Sequence, residues 1–171
     1  MSPAPAPILL AWQCLRLADF DPLALHRVLR ARQEVFVVEQ ACAYLDADNA
    51  DESSWHLAAW APGQHLMAYA RLVDPGVKYP EASIGRVITT AAARGTGLGR
   101  ALLQRALAEC ERAWPGQPLR ISAQSHLVGF YGEAGFVAVG EPYLEDGIPH
   151  TEMLRPPPHL EAPPCAGALL P

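Results

Sequence analysis

The sequence predicts an α/β domain of the mixed, α+β-like kind, in which a central mixed sheet carries helices on its faces. Three observations predict it. One is a long one-faced helix over 98–114. Another is a set of short apolar, β-branched or aromatic runs bounded by Gly, Pro and Asp turns. The third is their order, β-α-(α)-β-β-β-α-β-α-β-β, which fits layered α/β packing.

The elements follow from the chain in order. Leu9–Leu17 reads as a first strand. Asp21-Pro22 opens a helix, with Asp21 as N-cap and Pro22 at the first helical position. Leu23, His26, Val28 and Leu29 are expected on its buried side, and Arg27, Arg30 and Arg32 in solvent. Val35–Val38 fits a short helix or an extended run equally. The acidic stretch 44–54 reads as a loop. Residues 55–60 and 66–73 pair as a hairpin around Pro62-Gly63, and 83–89 forms the next strand. In 98–114, Leu98, Leu102, Ala106 and Cys110 recur at steps of four with Leu103, Leu107 and Trp114 beside them, while Arg100, Gln104, Arg105, Glu109, Glu111 and Arg112 take the other side. Pro115-Gly116 ends this helix. A fifth strand (119–123), a short helix (126–134) closed by Gly135, and strands 136–144 and 148–154 around an Asp146-Gly147 turn complete the domain.

Composition bounds the function. The chain has 171 residues, half of them hydrophobic, and a net charge of −5. This suits a single domain, expected over 9–155, between a loose Pro/Ala-rich segment (1–8) and a Pro-rich tail (156–171). Without a basic stripe, a nucleic-acid partner is not expected. The apolar runs fall short of a membrane span. Cys14, Cys42, Cys110 and Cys165 lack C-x-x-C spacing, which points to reduced thiols in a cytoplasmic protein. The histidines show no metal-ligand spacing, so no metal is expected. Hydrophobic Phe36–Val38 and the C-terminal tail leave room for a homodimer.

The most informative segment is the strand 83–89 followed by Arg94-Gly-Thr-Gly-Leu-Gly-Arg100 and the long helix. Glycines allow close backbone approach, and a helix N-terminus offers unpaired N–H groups to an anion. A dinucleotide fingerprint would need glycine where Arg100 stands, and an acid about 20 residues further on. A P-loop would need Lys-Ser/Thr after Gly99, where Arg100-Ala101 follow. What remains, R-x-x-G-x-G on Arg94, Gly97 and Gly99, resembles the acyl-CoA pyrophosphate loop of the GNAT N-acetyltransferases. Phe130-Tyr131 with Gly135-Phe136 resembles the F-Y-x-x-x-G-F segment of that family. Val35–Gln40, Tyr69-Ala-Arg71, Gly85-Arg-Val87 and Glu145–His150 resemble its ElaA-like subgroup.

The resemblance implies a mostly antiparallel sheet splayed between its fourth and fifth strands. It also implies acetyl-CoA as co-substrate and a small-molecule or peptide amine as acceptor. Acetyl transfer to an amine needs three things. The ammonium, of pKa ~10, must lose a proton. The thioester oxygen needs a donor. The leaving thiolate, from a thiol of pKa ~8.5, must be reprotonated. By resemblance Tyr131 faces the sulfur as general acid; packing as a core aromatic is its other reading. Val87, Ile88 and Thr89 are expected to offer backbone groups to the pantetheine arm, and Gly95, Thr96, Gly97, Leu98 and Gly99 to wrap the diphosphate. Arg94 and Arg100 would pair with phosphates or stand solvated at the helix start. Gln124 occupies a position where the family often has a cofactor-binding Asn. Glu39 is the first choice of general base. Glu34, His150, His56 or a water chain are alternatives, since imidazoles exchange protons near neutral pH. Asp46, Asp48, Asp51 and Glu52 either attract a cationic amine or form a solvated turn. They lack the Gly and terminal Glu of a calcium loop. Two rivals stand beside this reading: a non-catalytic acyl-CoA-binding sensor or assembly subunit, and an ATP- or NAD-binding protein with an atypical loop.

Overall fold

The computed structural model describes residues 9–157, so segment 1–8 and nearly all of the Pro-rich tail, with Cys165, lie outside the described residues. The chain forms strand β1 (Ala11–Arg16), helix α1 (Pro22–Gln33), and strands β2 (Ser54–Ala61), β3 (His65–Val73) and β4 (Ala82–Thr89). There follow helix α2 (Leu98–Ala113), strand β5 (Leu119–Gln124), short helix α3 (Val128–Gly132), and strands β6 (Val137–Ala138), β7 (Tyr143–Glu145) and β8 (Ile148–Arg155). All eight strands belong to one mixed sheet, ordered β1-β2-β3-β4-β5-β8-β6, with β7 also on β8.

Both faces of the sheet are covered, which is why β2 and β3 read as continuous apolar runs. Alternation divides their side chains between two cores. Leu57 and Ala59 face α2, whose Leu98, Leu102, Leu103, Ala106 and Cys110 are buried. Ala58 and Trp60 face α1 through Phe20, Val28 and Ala31. The predicted stripe of α2 is therefore the observed one.

Helix α1 starts as expected: Asp21 accepts from the N–H groups of Leu23 and Ala24 at 3.0 and 3.1 Å. Its buried side differs from the expectation. Leu23 and His26 are exposed, Val28 is buried as expected, and Arg32, expected in solvent, is fully buried as well, at 0% exposure. The helix is turned so that Arg32 meets buried carboxylates of the 46–51 loop. Glu34–Glu39 continues α1 as a π-helical turn, so the ambiguous 35–38 run is helical. The stretch 136–144 is not one strand. It breaks at Gly140-Glu-Pro142 into β6 and β7, because Pro142 donates no hydrogen bond to a ladder. The β7–β8 turn has positive φ at Asp146 and Gly147 (48° and 78°), as the Asp-Gly pair predicts.

The feature that positions the site lies between β4 and β5. All other neighbouring strands are antiparallel; these two are parallel and pair only at Ala82–Leu119 and Ser83–Arg120. Beyond Ser83 they part. On the other edge of β4, Tyr69 opposes Ile88 while Arg71 opposes Gly85. Arg86 and Val87 thus stand against the single Ala70, a bulge in which Arg86 has φ 51°. A bulge bends its strand and adds twist, here on the stretch where β4 leaves β5.

Candidate active site

The gap between β4 and β5 opens into a cavity of about 390 Å³. Gly85, Arg86 and Val87 line it from β4, Ser122, Ala123 and Gln124 from β5, and Leu127 and Tyr131 from the turn and helix that follow. Tyr44, Leu45 and Asp48 of the acidic loop close one wall, and Glu145, Ile148 and His150 of the β7–β8 hairpin close another. Strand ends that part leave N–H and C=O groups without a ladder partner, available to a ligand.

Beyond the C-terminal end of β4, Gly95 and Gly97 have φ values of 75° and 82°, and a Cβ at either would meet nothing within 4 Å. Only glycine holds such left-handed positions at no steric cost. Among the described residues, no main-chain N–H from Gly95 to Gly99 donates to a main-chain carbonyl. The first to do so is Arg100, to Gly97 O at 3.1 Å. Gly97 is the N-cap of α2 with no side-chain cap, so the positive end of the helix dipole stands open there. Thr96 turns its hydroxyl to Ala93 O at 2.7 Å, and Leu98, the first residue of α2, is buried.

The arginines flanking this loop are engaged with exposed acids. Arg94 donates to Glu39 at 2.6 Å and Arg100 to Glu133. Exposed pairs of this kind are worth at most about 1 kcal/mol, so both side chains are free to exchange a carboxylate for a phosphate. Glu39 lies in the Arg94 pair and does not line the cavity. Glu34 likewise pairs with Arg30 on the surface. Of the β4 residues singled out by sequence, Val87 lines the cavity. Ile88 is buried toward α1, and Thr89 lies opposite Ala68. Gln124 lines the cavity and donates to Gln40 at 3.2 Å.

Tyr131 is 7% exposed and held edge-on between Phe130 and Phe136, with ring centroids 5.1 and 6.0 Å away. Burial alone raises its pKa to about 12. It is thus both packed and part of the cavity wall. Of the two candidate histidines, His56 is fully buried in the core, bonded to Tyr69 Oη at 2.7 Å and Asp51 O at 2.9 Å; burial lowers its pKa. His150 lines the cavity. Its Nδ1 lies 2.9 Å from Ile148 O, a contact only an N–H can satisfy, which leaves Nε2 as the lone-pair nitrogen. Glu145 lies 4.0 Å from Nε2 and accepts from Ser122 Oγ at 3.2 Å.

The acidic loop is neither a solvated turn nor an open lure for amines, Glu52 apart, which is exposed. Asp46 and Asp51 are buried. Arg32 bonds both, at 2.8 and 2.7 Å. Arg71 bonds Asp48 and Asp51, at 2.5 and 2.7 Å, and Arg86 bonds Asp46 at 2.7 Å. Burial would raise the pKa values of Asp48 and Asp51, but hydrogen bonds and charge from these arginines outweigh it and hold both below the usual carboxylate range. Three arginines distant in sequence thereby fix one cavity wall. No local pattern announces this network, and its pairing was missed by sequence reasoning, as were Ser122 and Lys78 in the cavity lining. Alternation along β5 from Gln124 was the one signal that pointed to Ser122.

Comparison with known proteins agrees with this geometry. A family model described as an acetyltransferase (GNAT) domain matches residues 23–155. The chain is 49% identical over 149 residues to UPF0039 protein sll0451 of Synechocystis sp., covering 86% of this chain and 97% of that protein. Among solved structures, an acyl-CoA N-acyltransferase from Pseudomonas aeruginosa superposes with a TM-score of 0.81 at 48% identity, over 86% of this chain and 99% of the other. Escherichia coli ElaA superposes with a TM-score of 0.80 at 38% identity, over 86% and 99%.

Proposed function

The chain belongs to the GNAT acetyltransferase family, and from that premise we propose that it moves the acetyl group of acetyl-CoA directly to a primary amine. The observation that carries the reading is the cavity in the β4–β5 gap, with Tyr131 in its wall and a row of unpaired amides at Gly95–Gly99 beyond the end of β4. The amides take the diphosphate, with Arg94 and Arg100 exchanging their carboxylate partners for phosphate. The pantetheine arm runs along β4 past Thr89 and Ile88 to Val87, bonding main chain that β5 leaves free.

The amine nitrogen attacks the thioester carbon, forming a C–N bond as the C–S bond breaks. One proton leaves the nitrogen and one reaches the sulfur. Tyr131, kept protonated by its surroundings, presents its O–H to the departing sulfur. His150 Nε2 is placed to receive the proton from the amine. This supersedes Glu39 as the preferred base, because Glu39 stands outside the cavity with its carboxylate bound to Arg94. Holding both substrates in one cavity supplies the remaining advantage.

Calorimetry with acetyl-CoA, ATP and NAD, followed by an amine screen that reads released thiol, tests the reading. Acetyl-CoA is expected to bind in preference to both nucleotides, and at least one amine class to release thiol above the hydrolysis background. Preference for ATP or NAD would overturn the assignment. Tight acetyl-CoA binding with no acetylated amine would make the chain an acyl-CoA-binding module.

A further inference from the structure

We infer that the acceptor carries an anionic group, a carboxylate in the simplest case, in addition to its amine, and that Lys78 binds it. The inference rests on the acetyltransferase reading and names the class of acceptor.

Lys78 is the chain's single lysine, and it lines the same cavity as Tyr131 and His150. The other strong cations there are committed: Arg71 to Asp48 and Asp51, and Arg86 to Asp46 and Asp48. Glu145 accepts from Ser122. Among the described residues Lys78 has no carboxylate partner and no side-chain hydrogen bond. Lys78 is itself exposed, and the cavity beside it holds the guanidinium groups of Arg86 and Arg71. Partial burial lowers its pKa, Arg86 and Arg71 lower it further, and Asp48 and Glu145 act against them. An anion placed beside Lys78 would offset the like charge of Arg86 and Arg71 and give its ammonium a partner. The diphosphate is not that anion. Lys78 precedes the N-terminal end of β4, whereas the Gly95–Gly99 loop follows its C-terminal end, and eight residues of strand separate the two by roughly 20 Å. The remaining source is the acceptor, whose amine must reach Tyr131 and His150 from within this cavity.

The test uses matched pairs that differ only in charge: glycine and glycinamide, β-alanine and its amide, 5-aminovalerate and its amide. Each is assayed by kcat/KM with acetyl-CoA on the full chain. Because the paired amines differ in intrinsic basicity, the quantity read is the acid-to-amide ratio in wild type divided by that in Lys78→Met. At the best spacing this is expected to be about 10- to 100-fold, the worth of one charge-assisted hydrogen bond. Lys78→Arg should retain most of it, and Lys78→Glu should reverse the preference. A quotient within twofold of unity for all three pairs would overturn the inference while leaving acetyl transfer intact. If no amine is acetylated, the reading beneath it fails. Titration of N-acetyl-β-alanine into the CoA-loaded protein then decides the role of Lys78: binding lost in Lys78→Met supports it, and no binding to wild type overturns it.

Discussion

Replacing Arg32 by methionine is expected to lower the unfolding free energy by about 3 kcal/mol, the lower end of the cost of breaking a buried ion pair. The substitution keeps much of the side-chain volume, so the loss is electrostatic rather than a cavity effect. Arg32 has 0% exposure and joins Asp46 and Asp51, themselves buried. Removing it leaves two desolvated carboxylates with one cation each, Arg86 and Arg71. That remaining pairing places the cost at the low end. The pH dependence follows from the depressed pKa of Asp51. A carboxyl held below its unfolded value stabilises the fold above that value, about 4, and loses the contribution as pH falls through the folded value. Arg32 is the partner that lowers it most. Wild type and variant should therefore differ most near neutral pH and converge in acid, with the variant unfolding at higher pH. Urea unfolding followed by tryptophan fluorescence measures both. A loss below 1 kcal/mol at pH 7 would show that the network adds little to stability.

Tyr131→Phe is expected to lower kcat by about 10²- to 10⁴-fold, the usual worth of a positioned general acid. Acetyl-CoA affinity should stay within about twofold. The two effects separate because the ring is fixed by packing, edge-on to Phe130 and Phe136, whereas the proposed diphosphate contacts lie in the Gly95–Gly99 loop. With its pKa raised to about 12 by burial, the phenol stays protonated throughout the assay range. Full transfer from a phenol of pKa about 12 to the thiolate of a thiol of pKa ~8.5 is uphill even after cleavage, so Tyr131 acts by donating its O–H to the sulfur as charge builds in the breaking C–S bond, and solvent completes the protonation. A general acid is lost as pH rises, so an acidic limb of the pH–rate profile reports the base that takes the amine's proton rather than Tyr131. Its loss in His150→Gln, with the limb retained in Tyr131→Phe, would assign it to the imidazole. A kcat for Tyr131→Phe within threefold of wild type would remove the tyrosine from the chemistry.

Local pattern carried much of the architecture. The stripe of α2, the Asp21 cap, the β2–β3 hairpin and the glycines at Gly95 and Gly97 each rest on interactions within a few residues, so each was legible in the sequence. The resemblance to the GNAT family rested on similarly short motifs, among them Arg94-Gly97-Gly99 and Phe130-Tyr131 with Gly135-Phe136, and is borne out by the family model. Arg32 went the other way. Helical periodicity and charge put it in solvent, yet it is buried, because the carboxylates that neutralise it come from 14 and 19 positions along the chain. The acidic loop was misread for the same reason.

From sequence came the elements, their order and the glycine-rich loop ahead of α2, all set by short-range sterics and hydrophobic periodicity. Only the folded chain decided that β4 and β5 share two residue pairs and then part around the Arg86 bulge, that His150 rather than Glu39 meets Tyr131 in one cavity, and that Lys78 stands there unpaired. Those facts depend on which distant segments become neighbours, and the free energy of a charged or strained group is set by such neighbours rather than by the residues beside it in the chain.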